Sequence, residues 1–211
     1  MGKYREGKVK VGAVKNVQVG FERFAPGVDH VFLRFELSED IPLFEQNGRG
    51  KPIGTTRVLV ISSEGVPPKD HKYSMSEGYW GQYLLADRLV TGEELERWVK
   101  QLNHPVRLFS LHLSEAQVSR ILLRGIRRSE SSSFQSAYQL FANNCSTSAL
   151  SLIDEETGFK ATGWDPFHLT ELEEALPIAG PFGTARELRI RGLIDWREPG
   201  IDLFPRAEAH P

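Results

Sequence analysis

The single cysteine of this 211-residue chain lies in a polar segment, Asn143-Asn144-Cys145-Ser146-Thr147. Asn144 is a favourable helix N-cap residue, which predicts that Cys145 lies in the first turn of a helix. Unpaired backbone N–H groups and the helix dipole stabilise a thiolate there and can bind a developing oxyanion. Cys145 is therefore a candidate nucleophile, and Asn143, Asn144 and Ser146 are candidate substrate or oxyanion ligands. The alternative is a buried cysteine that only packs the start of the helix.

His30 is the candidate base for this thiol. It lies near the start of residues 29–37, where apolar side chains recur at every second position, and this period predicts a strand. The apolar face consists of Val31, Leu33, Phe35 and Leu37, and the other face of His30, Phe32, Arg34 and Glu36. A thiol enzyme needs an imidazole within hydrogen-bonding reach of the sulfur to accept and return a proton. The alternative is a half-exposed histidine on a polar strand face.

A third group should orient the imidazole of His30. Glu36 lies on the same strand, six positions away, and that distance of about 20 Å is too long for a hydrogen bond. A group on the neighbouring strand can lie directly across from His30. This reasoning favours Glu64 as the third catalytic residue, with Ser63 next.

Other elements must position these side chains. A short apolar run predicts a second strand over residues 56–63. A Thr-x-x-Glu capping box predicts a helix over residues 91–103. A strand over residues 106–113 and a helix beginning at Ser114 should follow.

Three further segments have less regular patterns. Residues 38–54 contain three glycines and two prolines, which predict a loop. An Asp-Pro pair predicts a helix over residues 165–176. Alternating side chains predict a strand over residues 187–194.

Three segments carry a resemblance to a known family. Residues 29–36 (Asp-His-Val-Phe-Leu-Arg-Phe-Glu) are similar to an H-x-F-L-x-F strand, and residues 58–64 to an L-x-x-S-x-E strand. Residues 138–147, which end in Asn-Asn-Cys-Ser-Thr, are similar to an N-C-[ST]-T segment. Together they resemble the Lnb-type N-terminal periplasmic domain family, over roughly residues 28–170.

The resemblance implies a fold and a reaction centre. In this family, as in circularly permuted papain-like thiol enzymes of the NlpC/P60 type, the histidine strand precedes the cysteine helix. We therefore expect an α+β, circularly permuted papain-like fold with an antiparallel sheet packed against helices. His30 would lie on a strand and act as the base, and Cys145 would lie at a helix N-terminus and act as the nucleophile.

Composition excludes several other classes of protein. With 40% hydrophobic and 26% charged residues, the chain can form one soluble α+β domain over residues 1–211, with a core at about 8–195 and a loose tail at 196–211. A net charge of −2 without a dense basic patch argues against nucleic-acid binding. The chain contains no P-loop, no dinucleotide fingerprint and no metal-ligand spacing of histidines, so we expect no cofactor and no metal.

The N-terminal residues are charged, and no signal-peptide run follows them. No stretch approaches the ~18 apolar residues of a membrane span. A cytoplasmic location is therefore expected, with a periplasmic or exported location, suggested by the family, as the alternative.

These observations predict a cysteine-dependent hydrolase or acyltransferase whose substrate is a peptide, an amide or another acyl compound. Cys145 would attack an amide, ester or thioester carbonyl, and His30 would move the proton. The alternative is a non-catalytic binding or accessory module on the same papain-like fold, since a fold does not determine a function.

Overall fold

The structure is a computed structural model. It describes residues 4–10, 12–25, 28–46, 50–72, 74, 77–78, 80–131, 134–139, 143–159, 181–195 and 197–203. The predicted helix over residues 165–176 lies outside these residues.

An antiparallel sheet forms the centre of the described part of the chain. Its strands are β1 (Arg5–Gly7), β2 (Val14–Ala25), β3 (Val28–Glu45), β4 (Gly54–Val66), β5 (Tyr83–Thr91), β6 (Val106–Ser110), β7 (Ala137–Tyr138) and β8 (Ile201–Asp202). Their order across the sheet is β7-β5-β4-β3-β2-β6-β8, and β1 pairs with the far end of β3. The long strands β2, β3 and β4 are therefore neighbours at its centre.

Helices cover both faces of this sheet. They are α1 (Gly92–Leu102), α2 (Glu115–Ser131), α3 (Cys145–Thr157) and α4 (Pro181–Ile190). The main core lies between one face and α2, α3 and α4, and a smaller core lies under α1 on the other face. The chain therefore has an α+β fold in which an antiparallel sheet packs against helices.

The predicted alternation in β3 is present. Val31, Leu33, Phe35 and Leu37 are at most 1% exposed and belong to the main core. Phe32 points to the other face, where it is part of the core under α1. Because successive side chains alternate, His30 lies on the α1 side of the sheet.

Two predicted segments differ from the structure. Residues 38–54 are not all loop, because β3 continues to Glu45; buried Ile41 and Leu43 extend the alternation after a register shift. Residues 187–194 do not form a strand, because α4 occupies this region as far as Ile190. Ala185 and Leu188, three positions apart, are buried apolar residues of this helix, and this is a helical spacing.

Strands β3 and β4 separate at one end of the sheet. Their last pair in this direction is Phe32 with Ser62. Beyond it, β3 remains paired with β2 as far as Val28, and β4 remains paired with β5 as far as Val66. A gap therefore opens between β3 and β4 beside His30, where the edges of both strands are available to another element.

No helix in the part of the chain that the structure describes is long and apolar enough to cross a membrane.

Candidate functional site

Helix α3 begins at Cys145 because two reciprocal hydrogen bonds cap its N-terminus. The Asn144 side chain accepts a hydrogen bond from the Thr147 N–H at 3.0 Å, and Thr147 Oγ1 accepts one from the Asn144 N–H at 2.9 Å. This reciprocal pair is a capping box. It places Cys145 in the first turn, as predicted, and only 8% of the residue is exposed.

The start of α3 meets the gap between β3 and β4. The Cys145 thiol lies beside the His30 side chain and the backbone N–H of Val31, and it interacts with both. Beyond the Phe32–Ser62 pair, β3 no longer bonds to β4, so the sulfur takes the place of a strand partner at Val31. The gap thus lets a thiol from one side of the sheet reach a histidine that lies toward the other.

Burial and mutual charge act against each other in this pair. Burial favours the neutral imidazole, but the Cys145 thiolate outweighs it and, with Glu64 and Glu22, raises the pKa of His30 to about 9. Burial also favours the neutral thiol, yet the charge and hydrogen bond of His30 lower the pKa of Cys145, helped by Val31. The interaction between the two residues therefore favours the charged form of each, a thiolate and an imidazolium.

A chain of polar groups extends from His30 away from the thiol. His30 Nε2 lies 2.7 Å from Ser62 Oγ, and Ser62 Oγ donates to Glu64 Oε1 at 3.3 Å. Arg88 Nη1 donates to Glu64 Oε2 at 2.7 Å. The guanidinium of Arg88 also lies over the Trp98 ring, 4.7 Å from its centroid. The imidazole is thus connected to an anchored ion pair.

A second carboxylate approaches His30 from β2. Glu22 is the cross-strand partner of His30, and its Oε1 lies 2.6 Å from Nδ1 of His104. A small, shallow pocket of about 30 Å³ lies beside these groups and is lined by His30, Ser62 and Glu64, among others. The imidazole therefore borders a small pocket at the surface of the sheet.

The candidate oxyanion ligands have different surroundings. The side-chain amide of Asn143 donates to the carbonyl of Ala137 at 2.8 Å, and the side chain of Asn144 caps α3. Ser146 is fully buried; its Oγ has no well-formed hydrogen bond among the described residues, but it lies beside the thiol and favours the thiolate. The side chains of both asparagines are therefore engaged in holding the local backbone.

Backbone groups of α3 offer another way to bind an oxyanion. The first turn of a helix has N–H groups without helical partners. The Thr147 N–H bonds to the Asn144 side chain, and the Ser148 N–H bonds to the Asn144 carbonyl at 3.0 Å. Among the residues that the structure describes, the N–H groups of Cys145 and Ser146 have no hydrogen-bond partner, and they are the two that remain in this turn.

The structure separates the two candidates for the third group. Glu64 lies on the His30 side of the sheet and reaches the imidazole through Ser62. Ser63 points to the opposite face and donates to Asp87 on β5. Sequence reasoning missed Ser62, although the L-x-x-S-x-E pattern places a serine two positions before Glu64, on the same strand face.

Comparison with known proteins identifies the family. No match is found among the curated proteins or among the solved structures. A family model described as the Lnb N-terminal periplasmic domain matches residues 23–188, which include Cys145 and His30. The family is described as periplasmic, so the expected cytoplasmic location is wrong. Because this match covers most of the chain and agrees with its motifs, the chain belongs to the Lnb N-terminal periplasmic domain family.

Proposed function

We propose that this protein is a cysteine-dependent hydrolase or acyltransferase that acts on an amide, ester or thioester bond. The observation that carries this proposal is the buried, interacting pair of Cys145 and His30 at the start of α3. A thiolate at a helix N-terminus, paired with an imidazolium, combines an activated nucleophile with a proton donor.

The first half of the reaction forms a thioester. The Cys145 thiolate attacks the carbonyl carbon, and the π electrons of the carbonyl move to its oxygen. When this tetrahedral intermediate collapses, the bond to the leaving group breaks, and the His30 imidazolium protonates the departing nitrogen, oxygen or sulfur. His30 is then a neutral imidazole.

The oxyanion of this intermediate needs donors close to the sulfur. The backbone N–H groups of Cys145 and Ser146 meet this need, because they lie in the first turn of α3 and have no helical partner. In this proposal Asn143 and Asn144 act indirectly, by holding the backbone that presents these groups.

The second half releases the acyl group. Neutral His30 takes a proton from water or from another acceptor, whose oxygen or nitrogen attacks the thioester carbonyl. The carbon–sulfur bond then breaks, and the Cys145 thiolate returns beside the His30 imidazolium. Water gives hydrolysis, and an amine or alcohol gives acyl transfer.

The order of the elements supports a circularly permuted papain-like arrangement. The histidine strand β3 precedes the cysteine helix α3 in the chain, and both belong to one antiparallel sheet-and-helix core. Because the sheet supplies the base and a helix N-terminus supplies the thiol, the arrangement fits thiol acyl chemistry.

The reactivity of the thiol tests the proposal. We expect iodoacetamide to alkylate Cys145 rapidly already at pH 6, and we expect His30→Ala to slow this reaction by up to about 100-fold. The reason is that an ordinary thiol, with a pKa of about 8.5–9, is less than about 1% ionised at pH 6.

His112→Ala is the matched control, because His112 is an exposed histidine outside this site. Its alkylation profile should equal that of the wild type. If the wild-type rate rises only above pH 8 and is the same in His30→Ala, Cys145 and His30 do not form a catalytic pair. A binding or accessory module would then be the better interpretation of the domain.

A further inference from the structure

We propose that Ser62 and Glu64 together hold His30 in the tautomer that carries its proton on Nε2, and that Arg88 is a positioning residue that keeps Glu64 in place. This inference deepens the proposed function, on which it rests, and concerns the orientation of the base rather than the existence of the Cys145–His30 pair. In neutral histidine only one ring nitrogen carries a proton, and only the other can accept one.

The direction of each hydrogen bond in this series of polar groups follows from its last acceptor, Glu64. A carboxylate held by a guanidinium can only accept, so Ser62 must donate its hydroxyl proton to Glu64 Oε1, 3.3 Å away. The Ser62 oxygen can then only accept a hydrogen bond from any other group. At 2.7 Å from this oxygen, His30 Nε2 must be the donor. Glu64 therefore specifies the tautomer of His30 without touching the ring.

The tautomer determines which nitrogen can serve the thiol. With the proton on Nε2 directed to Ser62, the lone pair of the neutral ring is on Nδ1. Nδ1 is then the nitrogen that exchanges a proton with Cys145 or with an acceptor in the second half of the reaction. In the opposite tautomer Nδ1 would already carry a proton and could not act as a base.

Arg88 is suited to hold Glu64 in this geometry. Its Nη1 donates to Glu64 Oε2 at 2.7 Å, which leaves Oε1 directed to Ser62. The Trp98 ring lies under its guanidinium, and this contact restrains the arginine itself. Arg88 and Glu64 lie on the neighbouring strands β5 and β4. In the register of these strands, Arg88 is directly opposite Ser62.

The other charged groups around His30 act differently. The thiolate of Cys145 approaches from α3, and Glu22 approaches from β2 with His104 as its own partner. Both interact with the charge of the imidazolium. Among the described residues, Ser62 is the group with a hydrogen bond to Nε2, so it is the group that favours a proton on this nitrogen.

The test measures the ring nitrogens of His30 by ¹⁵N NMR from pH 6 to 10.5, and alkylation by iodoacetamide at pH 7. It compares the wild type with Ser62→Ala, Glu64→Gln and Arg88→Met. The control is Glu36→Gln, which removes the same charge from another carboxylate that is paired with an arginine, Arg34, on β3.

We expect the neutral ring of the wild type and of the control to carry its proton on Nε2. Ser62→Ala and Glu64→Gln should give a mixture of tautomers, and Arg88→Met a smaller shift in the same direction. Alkylation should fall about fivefold in Ser62→Ala, the equivalent of one hydrogen bond. If Ser62→Ala does not fold, the isosteric Glu64→Gln variant provides the same comparison.

A wild-type ring protonated on Nδ1, or tautomers unchanged in Ser62→Ala and Glu64→Gln, would overturn the inference. Fast, His30-dependent alkylation in the same samples would show that the proposed function survives this failure. Slow alkylation that does not depend on His30 would instead contradict the proposed function itself, whichever tautomer is found.

Discussion

Cys145 and His30 stabilise each other as ions in surroundings that would favour neutral side chains. Burial opposes both charges, and the mutual attraction outweighs it: the pKa of His30 rises to about 9, and that of Cys145 falls below its usual 9.0. Because folding creates this pair, the protonation of the two residues is linked to the stability of the protein.

The pair should make stability depend on pH on the acid side. For His30, a raised pKa gives stability that is complete below 6.5 and lost as the pH rises to about 9. For Cys145, a lowered pKa gives stability that is complete above 9.0 and lost as the pH falls. Between pH 6.5 and 9 the two trends cancel. Below pH 6.5 only the loss at Cys145 remains, so stability falls by at most about 1.4 kcal/mol per pH unit, the limit for one proton.

Urea unfolding from pH 4.5 to 9 measures this effect, with the His30→Ala/Cys145→Ala double variant as reference because it lacks both groups. The free energy of unfolding of the wild type, minus that of the reference, should be flat above pH 6.5 and should decrease below it. A difference that stays constant down to pH 4.5 would mean that no ion pair forms on folding.

At the scale of the element, two features position the thiol. The capping box sets where α3 begins, so that Cys145 occupies its first turn. The separation of β3 and β4 leaves the Val31 N–H without a strand partner, and the thiol interacts with it. The site therefore depends on a helix end and a sheet edge that meet at one point.

Removing the cap of α3 should affect stability and reactivity together. Asn144→Ala removes the side chain that accepts the Thr147 N–H, and the loss of an N-cap costs about 1 kcal/mol. Since the cap also holds the backbone around Cys145, we expect alkylation of the thiol at pH 6 to slow in the same variant. Urea unfolding and alkylation kinetics measure the two effects.

Thr91→Ala is the matched control, because Thr91 caps α1 in the same way and accepts the Glu94 N–H. It should cost a similar free energy, about 1 kcal/mol, and leave the alkylation rate unchanged. Equal slowing of alkylation in the two variants would show that reactivity follows global stability rather than the geometry of the α3 cap.

At the scale of the whole molecule, cores on both faces of the sheet hold the strands that carry the site. The smaller core consists of Phe32, Val60, Val99, Val106 and Leu108 and joins α1 to the sheet. Phe32 belongs to the last strand pair before β3 and β4 separate, and its ring covers Gly20 on β2. Packing on the α1 face therefore supports the strand segment that carries His30.

Gly20→Ala should destabilise the protein through this contact. A Cβ atom at Gly20 would lie 2.2 Å from the Phe32 ring, which is 1% exposed and has little room to move. Overpacking of this kind costs about 1–3 kcal/mol, although alanine is otherwise favoured over glycine in a strand. Urea unfolding should show this loss.

The double variant Gly20→Ala/Phe32→Leu should recover part of the loss relative to Phe32→Leu alone, because the smaller side chain leaves room. Gly54→Ala, where a Cβ atom meets nothing within 4 Å, should be close to neutral. If Gly20→Ala were as neutral as Gly54→Ala, the packing of Phe32 on Gly20 would not contribute to stability.

Features that depend on nearby residues could be predicted from the amino-acid sequence. Alternation predicted the strand of His30, Thr91 and Asn144 predicted two helix starts, and the motifs predicted the family. These signals are local, because strand faces and helix caps involve residues within a few positions of one another. For the same reason, the position of Cys145 in a first turn could be predicted.

Contacts between residues that are distant in the sequence could be read only from the folded structure. Ser62 reaches His30, and Arg88 reaches Glu64, because β4 pairs with both β3 and β5 in one particular register. A shift of one residue would turn Ser63 to that face instead, and the register of paired strands cannot be read from the sequence. The helix α4 was missed for a similar reason, since the face that a segment buries depends on its neighbours in space.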